Sequence, residues 1–561
     1  MTVRAFDTYD RYEELTARIT SVVSANSHLF RLESLGRSHE GRELWVVTAT
    51  NFSTGPDHEK PALWLDANIH SREVTGSMAC LYFIQWLADN YDNDDAIKRC
   101  LDSRAFYIVP RVNPDGTELA LSDVPTFVRS STRPYPLGDG ATDGFFEEDI
   151  DADGRILSMR VPDHNGAWKA HPEHQRLMIR RGPDDVGGQY YRILPEGRLY
   201  NVDSTTIQVR PPKEGLDLNR NFPMSWRPES DQPGAGPYPA SEPETRALMD
   251  FVAHHPNLIG SVSLHTYSGV ILRPYDDRPD DEFPVEDLWT YRKLGDMGTQ
   301  LTGWPNISVY HEFRPNPQKF STGAFDAWMY ESMGVFAWTV ELWCPIREAG
   351  ITEYQYADWF REHPVEDDLK LLRWSDDVLD GNGYVDWYPY EHPELGSVEL
   401  GGWDAFHSWY NPPGDLLEKE VSRLPEWLIW HLNASPSLGI RSTTLEAIGE
   451  GLYRVALVVE NTGWLPTYVT KKALEKSLTR GVSCAIELDG EASLQAGVMS
   501  LDCGELEGRA YTLAADIEKT QGSTTDRASV EWVVSAPVGA VLKVSAHHAR
   551  AGTVRATLVV Q

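Results

Sequence analysis

The chain has 561 residues, of which 41% are hydrophobic and 24% charged, which excludes a wholly disordered polypeptide and leaves room for roughly two to four domains. Its 51 Lys and Arg face 84 Asp and Glu, a formal net charge of -33, so nucleic-acid phosphates and anionic lipid are poor partners for it. The opening stretch MTVRAFDTYDRYEELTARI has no apolar signal core, and no apolar run reaches the ~18 residues of a membrane span. The five cysteines (Cys80, Cys100, Cys344, Cys484 and Cys503) are odd in number, irregularly spaced and never in C-x-x-C. That pattern excludes a disulfide framework and a thiolate zinc ribbon, and a cytoplasmic location is expected.

In chain order, residues 8–26 carry Tyr12, Leu15 and Ile19 at helical spacing. Strand-like runs follow at 44–49, 62–67 and 105–109, with an apolar helix expected over 76–91. Strand, helix and strand in alternation predict an α/β domain with a mixed sheet flanked by helices. The runs 259–264 and 335–340 read as further buried strands. Residues 134–213, rich in Gly, Pro and Asp, read as an ordered insertion with short strands near 156–161 and 190–194. Residues 376–438 form a Trp- and Pro-rich connection with a helix over 416–432. From 439 to 561, alternating runs at 452–459, 482–488, 528–534, 541–547 and 554–560 predict an all-β sandwich. The expected division is thus 1–375, 376–438 and 439–561, with Asn461-Thr-Gly463 as a strand-joining turn and docking or scaffolding as the last module's role.

Chemistry concentrates first in L-W-L-D-A-N-I-H-S-R-E, which sets His70 and Glu73 just after a strand. An imidazole and a carboxylate on one tight turn can hold a zinc ion. Alone the pair is weak evidence, since 17 histidines make about one chance H-x-x-E match expected. A second match, His363–Glu366, follows no strand and reads as a solvated acidic face. The first pair, however, is followed in order by Asn113-Pro-Asp-Gly116, Asp217-Leu-Asn219-Arg220, Ser263-Leu-His265-Thr-Tyr267 and Thr339-Val-Glu341-Leu342.

This ordered set, with Ser34–Leu44 upstream, resembles the zinc carboxypeptidases of the carboxypeptidase A/B type over roughly residues 8–375. The resemblance implies one zinc per chain held by His70, Glu73 and His265, leaving a coordination position open, with Asp217 behind His70. It implies Glu341 as the general base toward zinc-activated water, and Arg129 as the group that polarises the scissile carbonyl, with Arg133 as its competitor. Asn219 and Arg220 would clasp the free C-terminal carboxylate of a peptide, the expected partner. Arg72 and Tyr267 would face the substrate as well.

Two departures stand out. The family's substrate-capping tyrosine falls at Lys319 or Phe320, with Tyr310 and Tyr330 nearby but out of register. The side-chain pocket falls at Phe325, favouring apolar residues, or Asp326, favouring basic ones. The expected activity is hydrolysis of a C-terminal peptide bond. A deacylase or amidohydrolase acting on acylated amino acids or cell-wall peptides is the alternative, and an inactive binding protein of the same fold is a third reading. In the insertion, Asp149, Asp151 and Asp153 followed by Gly154 resemble the start of a calcium loop. Arg160 stands where an EF-hand needs Glu, so a distant carboxylate such as Asp163 would have to complete the site. The other reading is an acidic turn closed by Gly154.

Overall fold

The computed structural model describes residues 5–136, 140–202, 206–314, 316–510 and 523–561. Its centre is an eight-stranded sheet built from β1 (Phe30–Arg37), β2 (Glu43–Ala49), β3 (Ala62–Ala67), β4 (Ala105–Val109), β5 (Leu258–Thr266), β6 (Val270–Arg273), β7 (Asn306–Ser308) and β8 (Phe336–Leu342). The spatial order is β1-β2-β4-β3-β5-β8-β6-β7. Strands β4, β3, β5 and β8 run parallel; β1 pairs antiparallel with β2, β2 with β4 and β6 with β8, while β7 runs parallel to β6. Every residue of β3, β4 and β5 is buried, because helices cover both faces, and that is why these strands show no alternation of apolar and exposed polar residues. The helix Thr75–Asn90 buries residues all round its circumference, whereas Tyr12–Ala25 buries only Leu15 and Ile19.

β1 has no counterpart in the sequence pattern: only Phe30 is buried, and an edge strand of this kind shows no alternation. The helix expected over 416–432 is two helices, Gly414–Val421 and Pro425–Asn433, since Pro425 has no N–H to continue the first and opens the second. The connecting region also holds a hairpin, Tyr384–His392 and Gly396–Trp403. Its second strand pairs with Ser158–Pro162 of the insertion, giving an antiparallel six-stranded sheet from two segments far apart in sequence. Arg160 and Glu399 lock that junction with two hydrogen bonds of 2.8 and 3.0 Å.

The C-terminal module consists of two four-stranded antiparallel sheets. Alternate residues Val455, Leu457 and Val459 from one sheet and Cys484, Ile486 and Val544 from the other fill a shared core, a β-sandwich. It is fastened to the domain of the central sheet by polar contacts. Asp287 accepts the backbone N–H of Lys471 and Lys472 at 2.6 and 3.0 Å. Buried Arg550 donates to the carbonyls of Gly334 (2.9 Å), Tyr468 (3.0 Å) and Met333.

Arg550→Ala removes three hydrogen bonds and takes this donor from the Met333 carbonyl, at a cost of about 1–3 kcal/mol, while Thr470 still bonds the Gly334 carbonyl through its hydroxyl and the Tyr468 carbonyl through its N–H. The variant is expected to unfold at clearly lower temperature and urea concentration than the parent chain, measured by circular dichroism.

Candidate functional site

The site lies beyond the carboxyl ends of the parallel strands. The chain leaves β3 toward β4 on one side and later enters β5 on the other, so a crevice opens at this switch point. His70 follows β3 on a turn started by Asn68, which takes a left-handed conformation (φ 59°). The Asn68 amide donates to the His70 carbonyl at 2.7 Å, while its oxygen accepts from Ser77 and Thr117. His265 and Glu341 are paired residues of β5 and β8, so parallel register alone sets the two side chains next to each other.

His70 Nδ1 and His265 Nδ1 face each other at 3.1 Å, and the Glu73 carboxylate approaches both at 2.9 Å. All three residues are buried. Two ring nitrogens in contact leave no room for a proton on each, and a cation shared with the carboxylate resolves the clash. Two imidazoles and a carboxylate converging in this way form a donor set that fits zinc. Burial would raise the Glu73 pKa, but the two histidines hold it well below the usual range. Behind His70, Asp217 accepts from Nε2 at 3.2 Å. It also accepts from Arg129 Nε at 3.1 Å and, despite burial, is kept ionised by Arg129, Arg220 and His70. Behind His265 stand Ser263, 3.5 Å from Nε2, and Asp66, which accepts from Ser263 at 2.7 Å. Burial pushes Asp66 up to about 7. Sequence reading passed over Asp66, although a lone acid inside L-W-L-D-A was its signal.

The Asn113–Gly116 motif acts through geometry. Asn113 caps the helix Pro114–Ala120 by accepting from Gly116 N–H, and it donates to the Ser130 carbonyl at 2.7 Å. A Cβ at Gly116 would lie 2.4 Å from that carbonyl, so only glycine permits the approach. Ser130 in turn donates to the Ile69 carbonyl, and Ser71 N–H to the Arg129 carbonyl, tying Arg129 to the His70 turn. Asp115 accepts from Ser38 and Arg42, which explains the upstream Ser34–Leu44 segment.

A cavity of about 830 Å³ opens from His70, His265 and Glu341, lined also by Arg129, Asn219, Arg220, Asp276 and Asp326. Glu341 Oε2 is buried with no hydrogen-bond partner among the described residues. Burial, then the nearby Glu73, raise its pKa well above the ordinary value against the pull of Arg129. Arg133, the competitor of Arg129, is instead held in a fork by buried Glu242. Arg220 lines the cavity and donates to the Asn219 carbonyl at 2.6 Å, while Asn219 Oδ1 accepts from Phe325 N–H. Phe325 itself is buried among Trp64, Phe222 and Trp328. The cavity wall at that point is Asp326, which accepts from Ala327 N–H and the Thr339 hydroxyl and stands near Asp276; among the described residues neither carboxylate forms an ion pair. Burial, then the like charge of Asp326, push Asp276 up to about 7 against Arg220 and Arg314.

Lys319 and Phe320 line the cavity at the capping position. Tyr330 is buried and donates to Asp287, and Tyr310 stacks under Arg314. Tyr267 packs with Phe360, Trp409 and Tyr410 rather than lining this cavity. Arg72 lies over Phe127, and its carbonyl accepts from buried Asn411 at 2.8 Å, a contact that no motif announced. His363 is stacked on Trp359 and hydrogen-bonded to Asp368, apart from the histidine pair.

The calcium expectation finds no support. Asp149, Asp151 and Asp153 lie close together, but their oxygens are already used. Asp149 accepts from Ala152 and Gly154 N–H, Asp151 from Asp153 N–H and Tyr388, and Asp153 from Arg155. Asp163 is paired with Arg192. The segment is an acidic turn closed by Gly154 (φ 83°).

Residues 15–357, more than half of the chain, match the zinc carboxypeptidase family. The chain belongs to that family. Residues 437–559 match a domain family of unknown function. Carboxypeptidase A2 of Rattus norvegicus is 26% identical over 286 residues, covering 50% of this chain and 51% of that protein. Carboxypeptidase B of Rattus norvegicus is 23% identical over 351 residues, covering 60% and 64%. The chain thus spans about half the length of the curated relatives it matches, or somewhat more. Among solved structures, thrombin activatable fibrinolysis inhibitor is similar with a TM-score of 0.44 and 16% identity, over 76% of this chain and 74% of that one.

His70→Ala and His265→Ala are each expected to abolish zinc retention, and His363→Ala to leave it intact, as read by metal analysis of the purified proteins.

Proposed function

We propose that this chain is a metallocarboxypeptidase that removes a basic residue from the free C-terminus of a peptide. The observation that carries the reading is Glu341: a half-buried side chain whose Oε2 is buried without a hydrogen-bond partner among the described residues, side by side with His265 at the mouth of a cavity whose far wall is charged. Zinc, when bound by His70, Glu73 and His265, would supply a Lewis acid that eases deprotonation of water and polarises a carbonyl.

Glu341 Oε2 takes the proton of the attacking water and passes it to the leaving amine. The Arg129 guanidinium, steadied by Asp217 and Glu73, faces the cavity and offsets the charge that develops on the carbonyl oxygen. Arg220 and Asn219 hold the terminal carboxylate, a role suited to the planar guanidinium fork. Asp276 and Asp326 then meet the side chain of the departing residue, and two acids with no ion pair among the described residues favour a cation there. The burial of Phe325 supports Asp326 over it as the residue that meets this side chain.

A peptide with a free C-terminus is expected to be cleaved far better than its C-terminal amide. Loss of a charge-assisted contact costs about 1.5–3 kcal/mol, or ~10–150-fold in kcat/KM. Arg220→Ala should erase most of the difference without altering zinc content. Equal cleavage of acid and amide would replace this reading with that of a deacylase or amidohydrolase.

Glu341→Gln should lower kcat by at least ~10²-fold while retaining zinc. Near-normal turnover would remove Glu341 from the reaction. Asp326→Ala should depress kcat/KM for C-terminal Lys or Arg while that for Leu or Phe holds or rises, checked on a matched peptide set.

A further inference from the structure

Four buried residues of the central sheet lead inward to the donor set of His70, Glu73 and His265. Trp64 and Asp66 lie two apart on β3, and Ser263 and His265 two apart on β5, so each pair shares a face of its strand. The parallel register of β3 and β5 sets Asp66 directly beside Ser263.

Hydrogen positions along this line follow from its outer end. An indole N–H can only donate, and Trp64 Nε1 donates to Asp66 Oδ2 at 2.7 Å. Ser263 Oγ lies 2.7 Å from Asp66 Oδ1. An ionised carboxylate only accepts, so the serine hydrogen is committed to Asp66. What Ser263 then presents to His265 is a lone pair. His265 Nε2, 3.5 Å away, has no other hydrogen-bond partner among the described residues and supplies the hydrogen of that contact. A neutral imidazole carries a single N–H. Its Nδ1 is therefore left with a bare lone pair, and Nδ1 is the atom that meets Glu73 at 2.9 Å and His70 at 3.1 Å.

His70 reaches the same state by a shorter route, since its Nε2 faces the Asp217 carboxylate directly at 3.2 Å. Behind His265 the nearest carboxylate is one hydroxyl further away. Which ring nitrogen of a histidine can bind a metal is decided by the hydrogen bond that the other nitrogen makes. The opposite tautomer would turn an N–H toward Glu73 and His70 and leave no lone pair there.

We propose that Asp66 is a positioning residue which, through the Ser263 hydroxyl, holds His265 in the tautomer whose Nδ1 can bind zinc. The inference rests on His70, Glu73 and His265 being the zinc ligands. It goes beyond that reading by giving His265 a carboxylate of its own, acting through a serine.

Asp66→Asn is the sharpest test, because Trp64 dictates how the new amide lies. The indole can only donate, so the amide oxygen turns to Trp64 and the amide NH2 to Ser263. The serine then accepts from the amide and gives its own hydrogen to His265 Nε2, which moves the ring hydrogen to Nδ1. Zinc dissociation constants are measured on the full chain by competition with a chromogenic chelator, in mildly alkaline buffer because burial pushes Asp66 up to about 7. Asp66→Asn is expected to weaken zinc binding by ~10–100-fold, the usual effect of losing an outer partner of a ligating histidine. Asp66→Ala, which stands in if the first variant does not fold, should act in the same direction, since the serine hydrogen again turns to Nε2 once the carboxylate is gone. Adding Ser263→Ala to either variant should restore most of the affinity, because the hydroxyl that misdirects the ring is removed. A packing role for Asp66 would instead make the two losses add. Unchanged zinc affinity in the Asp66 variants overturns the assignment, and so does a double variant that binds zinc no better than the single one. If the parent chain itself binds zinc no better than His265→Ala, the metal site falls and this assignment with it, an outcome told apart from the others by the parent's own affinity.

Discussion

A carboxylate that must stay ionised away from water governs this molecule. Glu73 is buried, and burial alone would neutralise it. It keeps its charge because His70 and His265 press ring nitrogens against its two oxygens, and Arg129 approaches one of them as well. Each of these partners needs its own support. His70 depends on Asp217 and the Asn68 turn, and His265 on Ser263 and Asp66. Arg129 depends on the Asn113 cap and on Gly116. The motifs scattered over the first two-thirds of the chain are therefore one electrostatic construction, and the central sheet is the frame that brings its parts together.

The frame was legible where burial is two-sided. Strands β3, β4, β5 and β8 are mostly apolar and show no alternation, and length and flanking turns sufficed to place them. β1 was not legible, because an edge strand with one buried residue leaves no period. The hairpin of 384–403 was hidden for another reason: its strands are set by pairing with an insertion over two hundred residues earlier, and its Trp, Gly and Pro content points locally to loop.

In the candidate site, residues carried by motifs could be named in advance, whereas their supports could not. Asp66, Asp276 and Asn411 each belong to no pattern, and their importance arises only when three-dimensional neighbours are known. The choice between Phe325 and Asp326 shows the same limit. Adjacent residues at a helix start point in different directions, and only packing decided that the ring goes inward against Trp64 and the carboxylate to the cavity. The acidic triplet at 149–153 illustrates the converse. Its spacing suggested a cation, but turn N–H groups, Tyr388 and Arg155 satisfy the same oxygens.

Arg550 has a consequence for synthesis. The carbonyls of Met333 and Gly334 lie in the turn that launches β8, the strand bearing Glu341, and the cation that satisfies them comes 216 residues later for Gly334. At about 5–20 residues per second, a ribosome delivers that guanidinium roughly 10–40 s after the turn itself. During this interval the nascent central sheet carries an unfinished corner beside the strand that bears Glu341, and a chaperone that shields the corner would occupy the surface the sandwich later takes.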